Sequence, residues 1–495
     1  MTLPFMPYLN LRRQTVFISS IITDGAVDTA LKAERINAAI AADNVHDVVF
    51  DIPLNLTFAR TETVDGSATT VFRIPSNRRL IGSPDCPIDA SAWSTTATTG
   101  QRRHLFRAEG EESDSVALTA DLAYGRRTIT VGSTGLAELV SYGLGVGALI
   151  RITSDRLWII GGTIGAEEQG ELLTVVNLNS DSFDIFGPSH DEYTVGNNAR
   201  VHVVTPAAGI ILEGITAIGP GMLSDGGTPI EGDRMMHMIL CSGLRLYDVS
   251  CTNFDNGNRF YSCPDGKAVG FKCFAQTEGA ATRAVNQYGL ALVNACQDWV
   301  VDDATIVGNK HGLVQSESNL YPGVTRRCTF KNSTILGTWN FAVATHTNAE
   351  HIVAEGMNIE ACSGGVEGGC RAFTSRKNTI RFQRYVAGEH GIGIVCTEVP
   401  EDFLSEGDRV YGGGFGFRLD TGSFAPLSGS NGPRKIRIVD FYADACNRCG
   451  VWVDWEGVGD RNGIEMSNIS TRNIGQPVTE DGYPTGGEAD NYPSI

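Results

Sequence analysis

The feature that most constrains this chain is a recurrence of short apolar segments about every 28 residues through its second half. LRLYDVS begins at 244, CTFKNST at 328, IVAEGMN at 352, IRFQRYV at 380, IRIVDFY at 436 and IEMSNIS at 464. Steps of 28 from 244, with one short step of 24, visit Leu244, Lys272, Val300, Cys328, Ile352, Ile380, Asp408, Ile436 and Ile464. Two positions further lie Leu246, Phe274, Asp302, Phe330, Ala354, Phe382, Val410, Ile438 and Met466. Fifteen of these 18 residues are apolar, where a 42% apolar composition would supply about seven or eight. Residues two apart share one face of a strand, so both columns face one interior.

A period of 28 exceeds one strand, and no 3.6-residue pattern runs through it. Each repeat also holds a second apolar segment: GLV at 312, FAV at 341, GIGIV at 391, GFRL at 416 and GVWV at 450. The economical architecture is all-β: a coil of two or three strands per turn, stacked as a parallel β-helix. Stacking buries the inward columns against one another, and each turn supplies the next turn's hydrogen bonds. Nine coils at ~4.8 Å give a rod of roughly 45 Å. Asp302 breaks an apolar column, and a buried lone carboxylate is costly. A local shift is expected there, with Trp299 and Val301 facing inward instead.

The open ends of such a stack are sheet edges that need covers. Residues 24–42, DGAVDTALKAERINAAIAA, read as an amphipathic helix with Asp24 or Asp28 as cap and Val27, Leu31, Ile36 and Ile40 as its apolar face. Placed before the strands VVFDIP, FRIP and RRLIGS, it is the expected N-terminal cap. From about 115 to 205 the character changes to alternating strands (RTITVGS, GALIRITS, ELLTVVNL, SFDIFG) joined by acidic loops, a β-rich excursion. The expected organisation is a leader over 1–20, capping helix and first coils over 21–114, the insertion over 115–205, the β-helix over 206–475 and a tail over 476–495.

Composition narrows the function. Glycine is 58 of 495 residues, about 12% against a usual ~7%, as many turns demand. The net charge of −18 disfavours binding to phosphate backbones, so no nucleic-acid partner is expected. No run of 18 apolar residues predicts membrane insertion, and the N-terminal MTLPFMPYLNLRRQTVF has no secretion-signal pattern. The 12 cysteines read as reduced, buried small hydrophobes. Cys446 and Cys449 form a CxxC with no second ligand pair near it, so no metal is assigned. Asp255-Asn256-Gly257-Asn258 resembles part of a calcium loop, but position 266 is Gly where a bidentate Glu is wanted. No cofactor is expected.

The helix DGAVDTALKAERINAAI with the following I-P strand and RRLIGS resembles the opening of pectate-lyase-like right-handed parallel β-helices, the superfamily of many bacteriophage tailspike and tail-fibre proteins. The stretches SVALTADLAYGRRTITV, ALIRITSD, GELLTVV and YTVGNNARVHVVTP are similar to the β excursion of such phage proteins, and ATHTNAEHI followed by CSGGVEGG resembles one of their coils. The resemblance covers about residues 20–475. It implies a homotrimeric virion protein of the tail, attached to other tail or baseplate proteins through its N-terminus. Such a protein binds host surface polysaccharide and often cleaves it. The chain departs from larger members in ending soon after the coils, in TEDGYPTGGEADNYPSI.

Hydrolysis of a glycosidic bond needs an acid and a second carboxylate, about 5 Å apart for retention or ~6.5–9.5 Å for inversion. One rung of a stack gives ~4.8 Å and two give ~9.6 Å. Matching offsets after the second strand single out Glu317, Glu367 and Glu398 as catalytic candidates, with Tyr321, His346 and Arg371 as substrate-binding candidates. Glu360, Glu389 and Asp444 form the next set. A Glu on a solenoid loop is most often a solvated charge, and His346 near Asn348 also fits a role in holding a turn. A secreted polysaccharide lyase or glycoside hydrolase outside any virion, and a purely adhesive spike, are the alternatives. Hydrolase is preferred over lyase, because no convincing calcium cluster is present.

Overall fold

Every turn of the chain delivers one strand to each of three parallel sheets. In the computed structural model sheet A has thirteen strands, from Gln14–Phe17 to Ile464–Ser467. Sheet B has twelve, from Leu54–Asn55 to Ser470–Arg472, and sheet C has eleven, from Ala68–Arg73 to Cys449–Val453. The fold is a parallel β-helix. The structure describes residues 14–22, 29–57, 68–93, 102–158, 168–221, 223–225, 228–230, 233–254, 257–275, 288–318, 320–360, 362–382, 391–397, 401–419, 435–453 and 463–474.

The bend between sheets A and B explains much of the sequence. In ten successive turns a residue just after the sheet A strand has positive φ: Gly214, Asp248, Gly270, Asp303, Asn332, Gly356, Lys377, Gly407, Asp440 and Asn468. Left-handed backbone is strained for side chains with a Cβ, and Gly, Asn and Asp tolerate it best. Nine of the ten positions hold those three residue types. Lys377 is the exception, at φ 52°.

The fixed step of 28 follows the true register only on average. On sheet A the aligned inward positions are Leu246, Ala268, Val301, Phe330, Ala354, Ser375, Ser405, Ile438 and Met466. Lys272, Phe274, Ile380 and Val410 belong to sheet B instead, where Ile380 pairs with Val410 and Val410 with Ala443. The columns through Val410 and Ile438 are therefore separate. Turns differ in length because their loops do, and a constant period slides from one sheet to the next. Lys272 and Phe274 face outward around buried Cys273. Trp299 and Val301 are fully buried while Asp302 faces out beside Lys331, the shift anticipated from the cost of burying that carboxylate. The second segments at 312, 341, 391, 416 and 450 fall on sheet C.

The interior is close-packed and mostly apolar. Phe373, Phe403, Phe417 and Phe441 form a run of ring contacts with centroids 5.5, 5.8 and 6.2 Å apart. Each such burial stabilises by roughly 1.5–3 kcal/mol. Trp299 lies over Gly266, where any Cβ would stand 1.9 Å from the indole, so the glycine at 266 serves packing. Asp255 and Asn256 of the calcium-like segment lie outside the described residues. Eleven of the twelve cysteines are buried, and none forms a disulfide. Cys241, Cys263 and Cys296 lie on successive turns, with the backbone N–H of one donating to the sulfur of the next at 3.4 Å. Asp408 is a fully buried carboxylate in the bend between the sheet A strand Leu404–Glu406 and the sheet B strand Arg409–Tyr411. It accepts from the Asn378 N–H at 2.8 Å and the Ser405 hydroxyl at 2.7 Å, and burial lifts its pKa to about 6.

The N-terminal edge is covered by the helix Thr29–Ala41, with Ala33, Ile36 and Ile40 buried. Asn37 donates to Val71 O at 2.6 Å and accepts from the Arg73 N–H at 3.0 Å, satisfying the edge strand of sheet C. Asp24, Val27 and Asp28 lie outside the described residues. Between Glu111 and Thr205 the chain leaves the coil and builds a separate antiparallel sheet of seven strands with the helix Gly132–Ser141. Its core includes Ile129, Leu139, Ile150, Ile152, Phe183, Tyr193 and Val201. Among the described residues no helix is long and apolar enough to cross a membrane.

Candidate functional site on the outward face of sheet C

One outward column crosses all eleven strands of sheet C. In register it reads Arg73, Arg107, His237, Arg259, Ala291, Val314, Ala344, Glu367, Val395, Arg418 and Trp452. At one rung per ~4.8 Å it spans about 48 Å. In the middle Ala291, Val314 and Ala344 are fully buried, in one apolar cluster with Leu172 and Val204 of the insertion. Glu367 follows half-buried, between Ala344 and Val395.

The setting of Glu367 differs from that of a solvated loop carboxylate. Burial pushes its pKa up to about 7, against the opposing pull of the Lys310 ammonium. His346 stands diagonally beside it, one rung down and two residues along from Ala344. Burial, reinforced by Lys310, lowers the imidazole to about 4, so the ring is neutral at neutral pH. Lys310 lies 5.5 Å from the Trp339 ring centroid. The group therefore combines a carboxyl that is half protonated near neutrality, an ammonium, a neutral imidazole and an aromatic face. A carboxyl of raised pKa is the form needed for proton donation to a leaving oxygen.

Buried amides hold the neighbouring loop. Gln315 accepts from the His346 backbone N–H at 2.8 Å and donates to Asn348 at 2.6 Å. Asn348 donates to Asn294 at 3.2 Å, and Asn294 donates to Ser318 O and Leu320 O at 2.5 and 2.7 Å. Glu317 follows the strand His311–Ser316 and is half-buried. It lies three residues along from Val314, on the turn two rungs before Glu367, so the two carboxylates are not stacked neighbours.

Tyr321 and Arg371 belong to a different place, where the insertion seats on the β-helix. Tyr321, at φ 53°, packs under Arg151 of the insertion, 5.7 Å from its ring centroid. Arg151 pairs with Glu112 and donates to Pro322 O at 3.1 Å. Arg371 pairs with Glu350 and lies 4.9 Å over the ring of Trp158, also from the insertion. Glu398 and Glu389 lie outside the described residues. Glu360 and Asp444 face outward on sheet B, Glu360 beside Arg381 at 3.5 Å and Asp444 accepting from the Tyr442 hydroxyl at 3.1 Å. The Lys310 ammonium thus acts on both Glu367 and His346, whereas Tyr321 and Arg371 lie at the insertion's seat. Lys310, Trp339, Arg418 and Trp452 escaped the sequence reading. For Arg418 a signal was present: in GFRL the residue that breaks the apolar run is the outward one.

No family model matches the chain, and no curated protein matches it. Solved structures do. The tailspike gp61 of Pseudomonas phage phi297 is similar with a TM-score of 0.59 and 12% identity, over 96% of this chain and 82% of that one. The tailspike gp49 of Pseudomonas phage LKA1 gives 0.56 and 16%, over 90% and 74%. The gp54 tailspike of Acinetobacter baumannii phage AP22, determined in complex with capsular saccharide, gives 0.53 and 11%, over 93% and 77%. The class is thus the parallel β-helix, in the form these phage tailspikes share. At such identities the likeness is one of fold.

Proposed function

We propose that this chain is a phage tailspike or tail-fibre receptor-binding protein that binds host surface polysaccharide along the outward face of sheet C and cleaves it there by hydrolysis. The observation that carries this reading is Glu367, a carboxyl on the outward column lifted to about 7, with the Lys310 ammonium acting on it and on His346 and lying over Trp339. Glu367 donates its proton to the leaving glycosidic oxygen as a water adds to the anomeric carbon, and the proton that this water sheds restores the acid. Lys310 favours the carboxylate that donation leaves behind. Neutral His346 hydrogen-bonds a sugar hydroxyl, and Trp339 offers a ring face to the sugar. The tailspike of phage AP22, similar in fold, is described with a capsular saccharide. On this reading the protein works in the virion tail as a homotrimer, joined to other tail proteins through its N-terminal leader.

The test is incubation of the purified protein and of Glu367→Gln with capsule or exopolysaccharide from strains that the protein stains. A rise in reducing ends without absorbance at 235 nm, lost in Glu367→Gln while binding persists, supports hydrolysis at this site. Absorbance at 235 nm identifies a lyase. Binding without either signal identifies an adhesive spike, and no binding to any polysaccharide overturns the reading. Light scattering at the mass of one chain, with no three-fold contact in a virion, removes the trimer.

A further inference from the structure

The three outward faces of the coil treat charge differently. On sheet A five successive aligned positions are Asp302, Lys331, Glu355, Arg376 and Glu406, so opposite charges alternate rung by rung. On sheet B Glu360 aligns with Arg381, and Asp444 with Arg472. Such pairing is the stable arrangement, because like charges directly opposite on adjacent strands destabilise a sheet. On sheet C four successive positions are Arg73, Arg107, His237 and Arg259. Burial and the surrounding His104, Arg234, Arg107 and Arg259 hold the His237 imidazole well below its ordinary pKa. Two rungs beyond Glu367, the Arg418 guanidinium lies 4.5 Å over the ring of Trp452.

Sheet A also aligns Arg245 with Lys267, but there Asp265 pairs with Arg245 at 2.9 Å; the longer run, three arginines and a histidine on four successive rungs, lies on the face that carries Glu367, in a chain of net charge −18. The accessibility is graded. Arg73 is exposed and Arg107 and Arg418 are half-buried, while His237 and Arg259 are 8% exposed and lie behind them. Glu109, 41% exposed, pairs with Arg107 at 2.6 Å and would have to yield to an incoming anion.

We infer that the glycan taken by this face is acidic, its carboxylate or phosphate groups held by Arg73 and Arg107 at one end of the column and by Arg418 at the other. A guanidinium offers either group two parallel N–H donors. Trp452 and Phe415, stacked at 5.3 Å, both lie under Arg418 and hold its guanidinium in place. The inference rests on the proposed glycan-binding function and specifies its ligand class.

The test uses surface polysaccharide extracted from strains the labelled protein stains. It is immobilised untreated, after reduction of its carboxylates to alcohols, and after removal of its phosphate with hydrofluoric acid. Binding at least tenfold weaker after carboxyl reduction identifies a carboxylated sugar, and the same loss after hydrofluoric acid identifies a phosphorylated one. Arg73→Gln weakens binding severalfold at low salt and little at 0.5 M salt, whereas Glu109→Gln tightens it. Because the two variants move binding in opposite directions, misfolding cannot mimic the result. Equal binding after both treatments, or Arg73→Gln and Glu109→Gln binding like the parent, overturns the inference and leaves the tailspike reading standing. Failure to bind any surface polysaccharide overturns both.

Discussion

Arg326 and Asp191 meet at 2.5 Å across the junction between the β-helix and its insertion. Both are buried, and Arg326 is fully enclosed. Its Nε also lies 2.6 Å from Glu350 Oε1, and its Nη1 lies 4.0 Å from Glu171. Burial opposes the charge on Arg326, but Asp191, Glu171 and Glu350 outweigh that and raise its pKa. One guanidinium thus ties residues 135 positions apart into a single charge network.

Removing that guanidinium strands buried carboxylates. Arg326→Ala is expected to cost about 3–5 kcal/mol, the range for a broken buried ion pair. Arg326→Lys should recover only part, since one ammonium cannot span the same acceptors. Thermal unfolding should show a lowered first transition, and Trp158 emission should shift to the red as its contacts with Arg326 and Arg371 loosen. An unchanged melt would show that the Arg326 charge network adds nothing to the insertion's seat.

The junction should have a pH window. Burial opposes ionisation of Glu350, but Arg326 and Arg371 overcome it and lower its pKa to about 2. Its contribution is present above the ordinary carboxylate value near 4.5 and is lost as pH falls toward 2. Burial, with Arg326, lowers His190 to about 4, so its contribution fades as pH falls from 6.5 to 4. Burial raises Glu171 to about 7, so its contribution is full below 4.5 and lost as pH rises through 7. Between about pH 4.5 and 6.5 the rise from His190 and the fall from Glu171 offset each other, so docking should be firmest there and weaken on both sides. Hydrogen exchange of Gly170 and Val324, whose backbones are bonded at 2.9 Å, would read it residue by residue.

Glu367 sets a second pH dependence. As a proton donor with a pKa near 7 it is active when protonated. Depolymerisation should hold below neutrality and fall tenfold per pH unit above about 7. Glu367→Gln should lower the rate by about 10²–10⁴, the range for general acid catalysis. A reducing-end assay across pH 5–9 checks both. A rate that rises through pH 7 would assign the acid to another residue.

The backbone of Lys377 offers a stability gain. At φ 52° it occupies the bend that nine other turns fill with Gly, Asp or Asn. Lys377→Gly should stabilise by about 1 kcal/mol by relieving the left-handed strain. Asn332→Val, at φ 50°, should destabilise by a similar amount or more. Denaturant midpoints of the two variants should move in opposite directions.

Burial protects the thiols. Eleven of twelve cysteines are buried and only Cys86 is partly exposed. An aqueous thiol reagent should titrate about one thiol per native chain and all twelve after unfolding. Rapid reaction of several native thiols would contradict the stacked interior.

Local requirements were written along the chain and could be read from it. Apolar residues two apart marked the inward faces, and the recurring short strands marked a coil. The glycine excess matched a bend that needs left-handed backbone in turn after turn. These follow from strand geometry and φ preference, which act over a few residues. The assignment of each strand to a sheet did not follow, because loop lengths vary and a fixed period cannot track them; Phe382 and Ile438 shared a column in the count and belong to different columns in the fold. Glu367 and His346 were picked by their offsets in the repeat, and stacking sets their strands on adjacent rungs of sheet C. Tyr321 and Arg371 were picked because they lie on the same set of loops after the second strand, yet they serve the insertion's seat, because Arg151 and Trp158 reach them from more than 150 residues away. Tertiary structure alone placed Lys310 and Trp339 beside Glu367 and lined up Arg73, Arg107, His237 and Arg259. Burial and electric field depend on every neighbour in space, and most of those neighbours are distant in sequence.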